Sequence, residues 1–184
     1  MVEQCMQTIN LQSLKIGRVC NMYYHDITKC DMLNGDGIRI VLWVSGCTMN
    51  CKNCQNPQTH DFNSGIPFDD NAKQELFEAL NKPYIQGVTF SGGHPLENEN
   101  IDTVYSLCKE IKEKFPTKDI WLYTGYTFEN ISSYLIMKYI DVLVDGKYIE
   151  EQKDLTLKWR GSKNQRVIDV KESLKQNKIV LYCD

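Results

Sequence analysis

Three cysteines stand close together in this sequence, with a spacing suited to binding a metal. Cys47, Cys51 and Cys54 form the pattern C-x3-C-x2-C directly after an apolar stretch. Cysteine thiolates are the usual protein ligands of iron–sulfur clusters, and a cubane with only protein ligands needs four of them. Three thiolates in one short loop would hold three irons and leave the fourth open. An open coordination position is typical of a catalytic metal site.

Structural zinc is the alternative that this spacing leaves open. Cys51 and Cys54 form an ordinary zinc-knuckle pair, and Cys47 with His60 would complete a Cys3His site. The chain has eight cysteines among its 184 residues and no secretory segment in residues 1–20. Metal binding or catalysis therefore explains the loop better than a disulfide framework. Five scattered cysteines are predicted to be small buried or incidental thiols: Cys5, Cys20, Cys30, Cys108 and Cys183.

The composition is that of an ordinary water-soluble globular protein, with 42% hydrophobic and 24% charged residues. The formal net charge of -3 gives no reason to expect nucleic acid as a partner. The longest apolar run, residues 40–44, is far too short to cross a bilayer. We therefore expect a cytoplasmic protein that binds neither nucleic acid nor membrane.

Strand and helix signals alternate along the chain. Strands are predicted at residues 38–44, 87–90, 120–123 and 140–144, and helices at residues 69–80, 100–114 and 128–139. Repeated strand–helix units with apolar strands predict an α/β fold in which helices cover a parallel sheet. Four units are too few for a closed eight-stranded barrel of about 250 residues. We expect a partial, open parallel β/α barrel.

Functional residues of such sheets gather at the carboxyl ends of the strands. The unusual segments of this sequence all follow predicted strands, and they are residues 45–54, 91–95, 124–126 and 145–147. The candidate ligand-binding residues in them are Gly92, Gly93, His94, Pro95, Thr124, Asp145 and Lys147. Residues 92–95 are either a plain turn or a place where a bare backbone approaches a ligand. Asp145 and Lys147 fit an exposed turn as well as they fit a binding site.

A longer ordered set of motifs runs through the chain. It comprises NGDGIR at residues 34–39, the cysteine loop with Asn56, GGHP at 92–95, WLYTGY at 121–126, VDGK at 144–147 and WRGSKNQR at 159–166. The cysteine spacing resembles the signature of the radical S-adenosylmethionine enzymes. The whole set, which covers about residues 22–170, is similar to the activating proteins of anaerobic ribonucleoside-triphosphate reductase.

The resemblance implies a cofactor set and a reaction. Cys47, Cys51 and Cys54 would hold one [4Fe–4S] cluster, and S-adenosylmethionine would bind its open iron. Residues 92–95 would bind the methionine amino group, with Thr124, Asp145 and Lys147 near the same ligand. His94 departs from the family pattern, which commonly has an acid there.

The implied partner is the large subunit of the reductase, on which a glycine would lose a hydrogen atom to a 5′-deoxyadenosyl radical. A reduced flavodoxin-like protein is the implied electron donor. Two alternatives stay open: an activator of pyruvate formate-lyase or of another glycyl-radical enzyme, and a non-catalytic zinc-binding interaction module.

The chain shows no internal linker, so we predict one radical S-adenosylmethionine domain over residues 22–184. Residues 1–21 form an N-terminal extension without an interpretable motif, and they could be disordered. Arg160 and Arg166 lie either in a solvated loop or in a clamp for a carboxylate or a partner's backbone.

Overall fold

A computed structural model gives the fold, and it describes residues 22–183. The prediction for the extension at residues 1–21, which includes Cys5 and Cys20, lies outside the described residues.

The centre of the structure is one seven-stranded sheet. Its strands are β1 (Tyr23–Asp31), β2 (Arg39–Val44), β3 (Ile66–Pro67), β4 (Gly87–Gly92), β5 (Asp119–Tyr123), β6 (Val142–Asp145) and β7 (Arg166–Asp169), in the order β3-β1-β2-β4-β5-β6-β7. The four central strands, β2, β4, β5 and β6, pair in parallel, which confirms the predicted parallel sheet. The outer strands β1, β3 and β7 are antiparallel to their neighbours, so the sheet is mixed, and it does not close into a barrel.

Two helices lie where the sequence predicts them, at residues 69–80 and 100–114, whereas the helix at residues 170–176 was not predicted. The helices are α1 (Asp70–Leu80), α2 (Ile101–Lys114), α3 (Phe128–Ile131) and α4 (Val170–Gln176), with short 3-10 helices at Pro57–Thr59, Leu135–Lys138 and Glu150–Gln152. Asp69 caps α1 by accepting the Ala72 N–H at 2.9 Å. The single helix predicted over residues 128–139 is wrong. Tyr134 has extended backbone angles that divide it into α3 and a 3-10 helix.

Alternate residues of the central strands face two different environments. Ile120 and Leu122 enter the large core formed with the helices, whereas Trp121 between them faces the opposite side of the sheet. There the Trp121 ring contacts those of Trp159 and Tyr182, with centroids 5.0 and 5.2 Å apart. The helices therefore cover one face, and residues from the C-terminal part of the chain cover part of the other.

The NGDGIR motif has a structural role at the amino ends of the parallel strands. The fully buried Arg39 guanidinium lies 2.6 Å from an Asp119 carboxylate oxygen and donates from Nε to Thr89 Oγ1 at 2.7 Å. It also lies over the Trp121 ring, 5.0 Å from the centroid. Arg39 thereby joins β2, β4 and β5 at the end of the sheet opposite to the cysteine loop.

Within residues 22–183, no helix has the length and apolar character needed to cross a membrane.

Candidate functional site

The segments predicted to carry chemistry lie together at the carboxyl edge of the parallel sheet. Strands β2, β4, β5 and β6 end at Val44, Gly92, Tyr123 and Asp145. Residues 45–54, 91–95, 124–126 and 145–147 therefore leave the sheet at the same edge, as predicted from the strand pattern.

The cysteine loop presents three free, half-buried thiols. Cys47, Cys51 and Cys54 form no disulfide. Asn50 and Asn53 have φ angles of +46° and +53°, in the left-handed region that asparagine tolerates better than most residues. The Cys54 N–H donates to the Cys51 carbonyl at 3.2 Å and closes a turn. These bends keep all three thiols within one compact loop.

The start of the cysteine loop is fixed by hydrogen bonds to residues outside the loop. The Gly46 and Cys47 N–H groups donate to the Thr59 and His60 carbonyls at 2.8 and 3.1 Å. Thr48 donates its N–H and its hydroxyl to one oxygen of Glu97, at 2.8 and 2.7 Å. The protein's own backbone and Glu97 therefore hold the start of the loop in place.

The thiols lie in an environment that both desolvates and supports a negative sulfur. Burial raises the pKa of Cys51, while the nearby charge of Lys147 and the backbone N–H of Tyr148 lower it. Burial likewise raises the pKa of Cys47, and the Met49 N–H opposes the rise. The Asn56 N–H donates to the Cys54 sulfur at 3.4 Å. Hydrogen bonds of this kind to sulfur tune iron–sulfur clusters.

The glycines of the GGHP segment bring it against the cysteine loop. A Cβ at Gly93 would lie 2.6 Å from the Gly46 carbonyl oxygen. Gly92 has φ +100°, and a Cβ there would lie 2.8 Å from the Val44 carbonyl oxygen. The His94 N–H donates to the Gly46 carbonyl at 2.8 Å. The close approach that the glycines allow is thus to the neighbouring loop.

His94 links the loop after β4 to the loop after β5. Its ring is 2% exposed, and Nε2 lies 2.7 Å from Thr124 Oγ1. Nδ1 lies 3.3 Å from Glu97 Oε1 without hydrogen-bonding geometry, and the ring meets Tyr126 edge-on at 4.6 Å. Burial lowers the pKa of His94, although the Glu97 carboxylate opposes this shift. The imidazole is therefore neutral near pH 7.

Glu97 and Asn100 belong to the site, although no sequence motif indicates either of them. Glu97 is 7% exposed and holds Thr48, whereas Asn100 is 1% exposed and donates from Nδ2 to the Ser45 and His94 carbonyls at 2.8 and 3.1 Å. They stand in a polar stretch, residues 97–100, that is indistinguishable by composition from an exposed helix start. Their three-residue spacing is the only signal that they share a face.

Asp145 and Lys147 differ in what they offer to a ligand. Asp145 is fully buried, and its carboxylate accepts from the Phe128 N–H at 2.7 Å and from Arg166 Nε at 3.0 Å. Arg166 also contacts both oxygens of Glu129, which lowers the pKa of Glu129 to about 2. Lys147 is exposed beside the cysteine loop. Of the two, only Lys147 has an exposed charge that a ligand could reach.

The three thiols fit the ligand set of an iron–sulfur cluster, in which each thiolate binds a different iron. Among residues 22–183, no three or more His, Cys, Asp or Glu side chains converge as ligands of one metal ion. His60, the fourth ligand of the alternative zinc site, has a buried Nε2 without a hydrogen-bond partner. Thiolates of a cubane bind different irons, so they need not converge as four ligands of one tetrahedral zinc do. Three free thiols, of which that of Cys54 accepts the Asn56 N–H, suit the ligand set of a cubane.

Comparison with known proteins agrees with this site. The class that the fold and the cysteine loop define is the single-cluster iron–sulfur domain. A family model described as "4Fe-4S single cluster domain" matches residues 33–168.

Curated relatives define the family more narrowly. Three of them are named "Anaerobic ribonucleoside-triphosphate reductase-activating protein". The protein of Enterobacteria phage T4 is 46% identical over 148 residues, 79% of this chain and 93% of its own length. That of Haemophilus influenzae is 43% identical, over 78% of this chain and 96% of its own, and that of Escherichia coli K12 is 41% identical, over 79% and 97%. The chain belongs to the family of anaerobic ribonucleoside-triphosphate reductase-activating proteins.

Proposed function

We propose that this protein activates anaerobic ribonucleoside-triphosphate reductase as a radical S-adenosylmethionine enzyme. The partner would be the large subunit of the reductase, for which the relatives are named. When bound, a [4Fe–4S] cluster would supply the electron that cleaves S-adenosylmethionine to methionine and a 5′-deoxyadenosyl radical, and that radical would take a hydrogen atom from a glycine of the reductase. Since the relatives are named for this reductase, pyruvate formate-lyase is not the partner we propose.

The observation that carries the proposal is the cysteine loop at the carboxyl edge of the sheet. Cys47, Cys51 and Cys54 are free and half-buried, and they lie beside the loops that follow β4 and β6. These three thiols would hold the cluster. Because they are three and not four, one iron would be open to the amino and carboxylate groups of S-adenosylmethionine.

Residues around the loop would bind and orient the S-adenosylmethionine. Backbone groups of Gly92, Gly93, His94 and Pro95 border the loop, so we assign them to the methionine amino group. The neutral His94 ring would keep Thr124 in place rather than supply a charge. Lys147 would attract the methionine carboxylate, and Asp145 would act indirectly by fixing the turn that carries Lys147.

The proposal also includes the domain, the electron donor and the cellular compartment. Residues 22–184 would form one domain with an open-barrel architecture of the radical S-adenosylmethionine type. A reduced flavodoxin-like protein would donate the electron, and the reaction would take place in the cytoplasm.

Anaerobic reconstitution with iron and sulfide tests the proposal. The wild-type protein should gain one four-iron cluster and convert S-adenosylmethionine to 5′-deoxyadenosine under strong reductant. Replacement of Cys51 by Ala should abolish both. The matched control is Cys30→Ala, since Cys30 is a free and exposed thiol on β1, away from the loop.

Two results would contradict the proposal. One is a colourless, zinc-loaded wild-type protein that leaves S-adenosylmethionine intact. The other is cleavage that survives Cys51→Ala. A glycyl-radical signal in electron paramagnetic resonance, after mixing with the reductase, tests the partner separately.

A further inference from the structure

Asn100 occupies the N-cap position of α2, but its side chain does not cap the helix. An N-cap asparagine usually accepts a hydrogen bond from an N–H group of the first helical turn. Within the described part of the chain, the Asn100 side chain makes no such bond. It is also 1% exposed, whereas asparagine side chains mostly face solvent. The side chain must therefore serve a contact other than capping.

The Asn100 amide instead joins two loops at the carboxyl edge of the sheet. Nδ2 donates to the Ser45 carbonyl at 2.8 Å and to the His94 carbonyl at 3.1 Å. Both hydrogens of the amide nitrogen are thereby used. Ser45 lies two residues before Cys47, and His94 lies in the GGHP segment. One buried side chain thus connects the start of the cysteine loop to residues 92–95.

Asn100 restrains a peptide group that cannot be held through its nitrogen. This group joins His94 to Pro95, and proline has no N–H to donate. Its carbonyl accepts from Asn100 Nδ2 and from the Glu97 N–H, the latter at 3.1 Å. The Glu97 bond closes a turn within the same stretch of chain, so it does not link the peptide group to the cysteine loop. Asn100 supplies that link, because it also holds Ser45.

The two preceding peptide groups of the segment are attached through their own N–H groups. The Gly93 N–H donates to the Val44 carbonyl at 2.7 Å, and the His94 N–H donates to the Gly46 carbonyl at 2.8 Å. Three consecutive peptide groups are therefore held against residues 44–46, and the last of them depends on a side chain. A substitution of Asn100 can release that group while the backbone bonds of the other two remain.

We propose that Asn100 is a positioning residue that fixes residues 92–95 against the cysteine loop and thereby sets the affinity of the protein for S-adenosylmethionine. This inference rests on the proposed function, which assigns the segment to the methionine amino group and the loop to the cluster. A ligand that contacts both parts binds more tightly when their spacing is fixed beforehand, because ordering them on binding costs conformational entropy. Asn100 would supply this preorganisation without touching the ligand.

Two substitutions remove the link and keep a residue that can cap α2. They are Asn100→Ser and Asn100→Asp, since serine and aspartate cap helices about as well as asparagine does. A hydroxyl has one hydrogen and cannot donate to both carbonyls, and an ionised aspartate has no donor. The matched control is Asn98→Ser, because Asn98 is an exposed asparagine two residues away.

Titration of S-adenosylmethionine into the reduced, reconstituted full-length chain measures the affinity, with the electron paramagnetic resonance spectrum of the cluster as the signal. Both Asn100 variants should keep the wild-type iron and sulfide content. Their dissociation constant should rise about tenfold, the usual scale for losing a residue that orients the groups around a metal site. In cleavage assays, KM for S-adenosylmethionine should rise by a larger factor than kcat falls. Asn98→Ser should match the wild type throughout.

Hydrogen exchange of the metal-free protein gives a readout that needs no cluster. In both Asn100 variants the Gly93 and His94 amides should exchange faster than in the wild type, because the restraint on the next peptide group is lost. The amides of α1 should exchange at the wild-type rate. Unchanged exchange at Gly93 and His94 would overturn the inference.

The affinity measurement can also overturn it. A wild-type dissociation constant in both Asn100 variants, even with a lowered unfolding temperature of the metal-free protein, would show that Asn100 is purely structural. Loss of the cluster from both variants would show the same. An equal rise of the dissociation constant in Asn98→Ser would show that the effect does not come from the Asn100 amide.

The proposed function fails by different results, which are seen in the wild type. A reconstituted cluster whose spectrum does not respond to S-adenosylmethionine would contradict it before any variant is compared. A wild-type protein that binds S-adenosylmethionine without cleaving it would contradict the enzyme activity, whereas the affinities of the variants could still be compared.

Discussion

At the scale of single residues, Glu97 is the carboxylate that joins the cysteine loop to the loop after β4. One of its oxygens accepts both the N–H and the hydroxyl of Thr48, and the same oxygen lies 3.3 Å from the His94 ring. A carboxylate can accept several hydrogen bonds at once, and neither an apolar residue nor a small one can replace it.

Replacement of Glu97 by Ala should therefore destabilise the metal-free protein. It removes the acceptor of two Thr48 hydrogen bonds, and since Thr48 is exposed and water can take the donors, we expect a loss of about 0.5–1.5 kcal/mol. Denaturant unfolding under anaerobic conditions measures the change. Glu99→Ala is the matched control, since Glu99 is exposed two residues away. Equal stability of the two variants would contradict the role of Glu97.

His94 should make the stability of the protein depend on pH. Because burial lowers its pKa in the folded state, the unfolded chain binds a proton that the folded protein does not. Stability should then fall as the pH drops below about 6.5, the ordinary value for histidine. Glu97, the carboxylate facing the ring, limits the loss. His94→Gln should give a shallower decline between about pH 7 and 5 in denaturant titrations, and an unchanged decline would exclude this role.

At the scale of elements, the contact between the GGHP segment and the cysteine loop depends on glycine. A Cβ at Gly93 would lie 2.6 and 3.0 Å from two backbone oxygens, those of Gly46 and Thr59. Backbone that belongs to anchored loops cannot yield as a flexible side chain can.

Gly93→Ala should push these two loops apart. We expect a loss of about 1–3 kcal/mol in stability from overpacking, and faster release of iron to a chelator. Gly125→Ala is the matched control, because the Cβ added there would meet the flexible end of Met49, with Sδ at 2.6 Å. Iron release at the same rate from both variants would refute the packing argument.

The sequence predicts the parallel centre of the sheet and leaves its edges unpredicted. The central strands are apolar on both faces, so short apolar runs mark them clearly. β1 has the charged residues Asp26, Lys29 and Asp31 within nine residues, so it has no apolar run that would predict a strand. Its hydrogen bonds to β2 hold it in the sheet. The break at Tyr134 has no local signal either, because packing of the short segments decides it.

The candidate site likewise has some residues that the sequence indicates and others that only the fold brings together. Cysteine spacing is a local signal, so the sequence alone indicates Cys47, Cys51 and Cys54. The partners that hold the loop, Glu97 and Asn100, are about fifty residues away in sequence, and only the fold brings them to it.

At the scale of the whole molecule, the Arg39 ion pair and the cysteine loop lie at opposite ends of the sheet. The pair of the buried Arg39 with the partly exposed Asp119 lies at the amino ends of the strands, and the cysteine loop lies beyond their carboxyl ends. Changes at the first end should lower stability without altering the site.

Replacement of Arg39 by Met tests this separation. It leaves the partly exposed Asp119 and the buried Thr89 hydroxyl without their partner, and loss of hydrogen bonds to a charged group costs about 1–3 kcal/mol. The reconstituted cluster should keep its wild-type electron paramagnetic resonance spectrum. Lys29→Met removes an exposed pair with Glu75, 2.7 Å long, and should change stability little. A changed cluster spectrum in Arg39→Met would show that the two ends are coupled.

The protein-only anchors of the cysteine loop also bear on how the protein matures. Zinc fingers are unfolded until their metal arrives, because the metal supplies much of their folding free energy. Here the bonds from Gly46, Cys47 and Thr48 to Thr59, His60 and Glu97 involve no metal. We therefore expect these bonds to persist in the metal-free protein, which should stay folded when iron is scarce. Iron and sulfide supplied later should then restore the cluster without new synthesis of the chain.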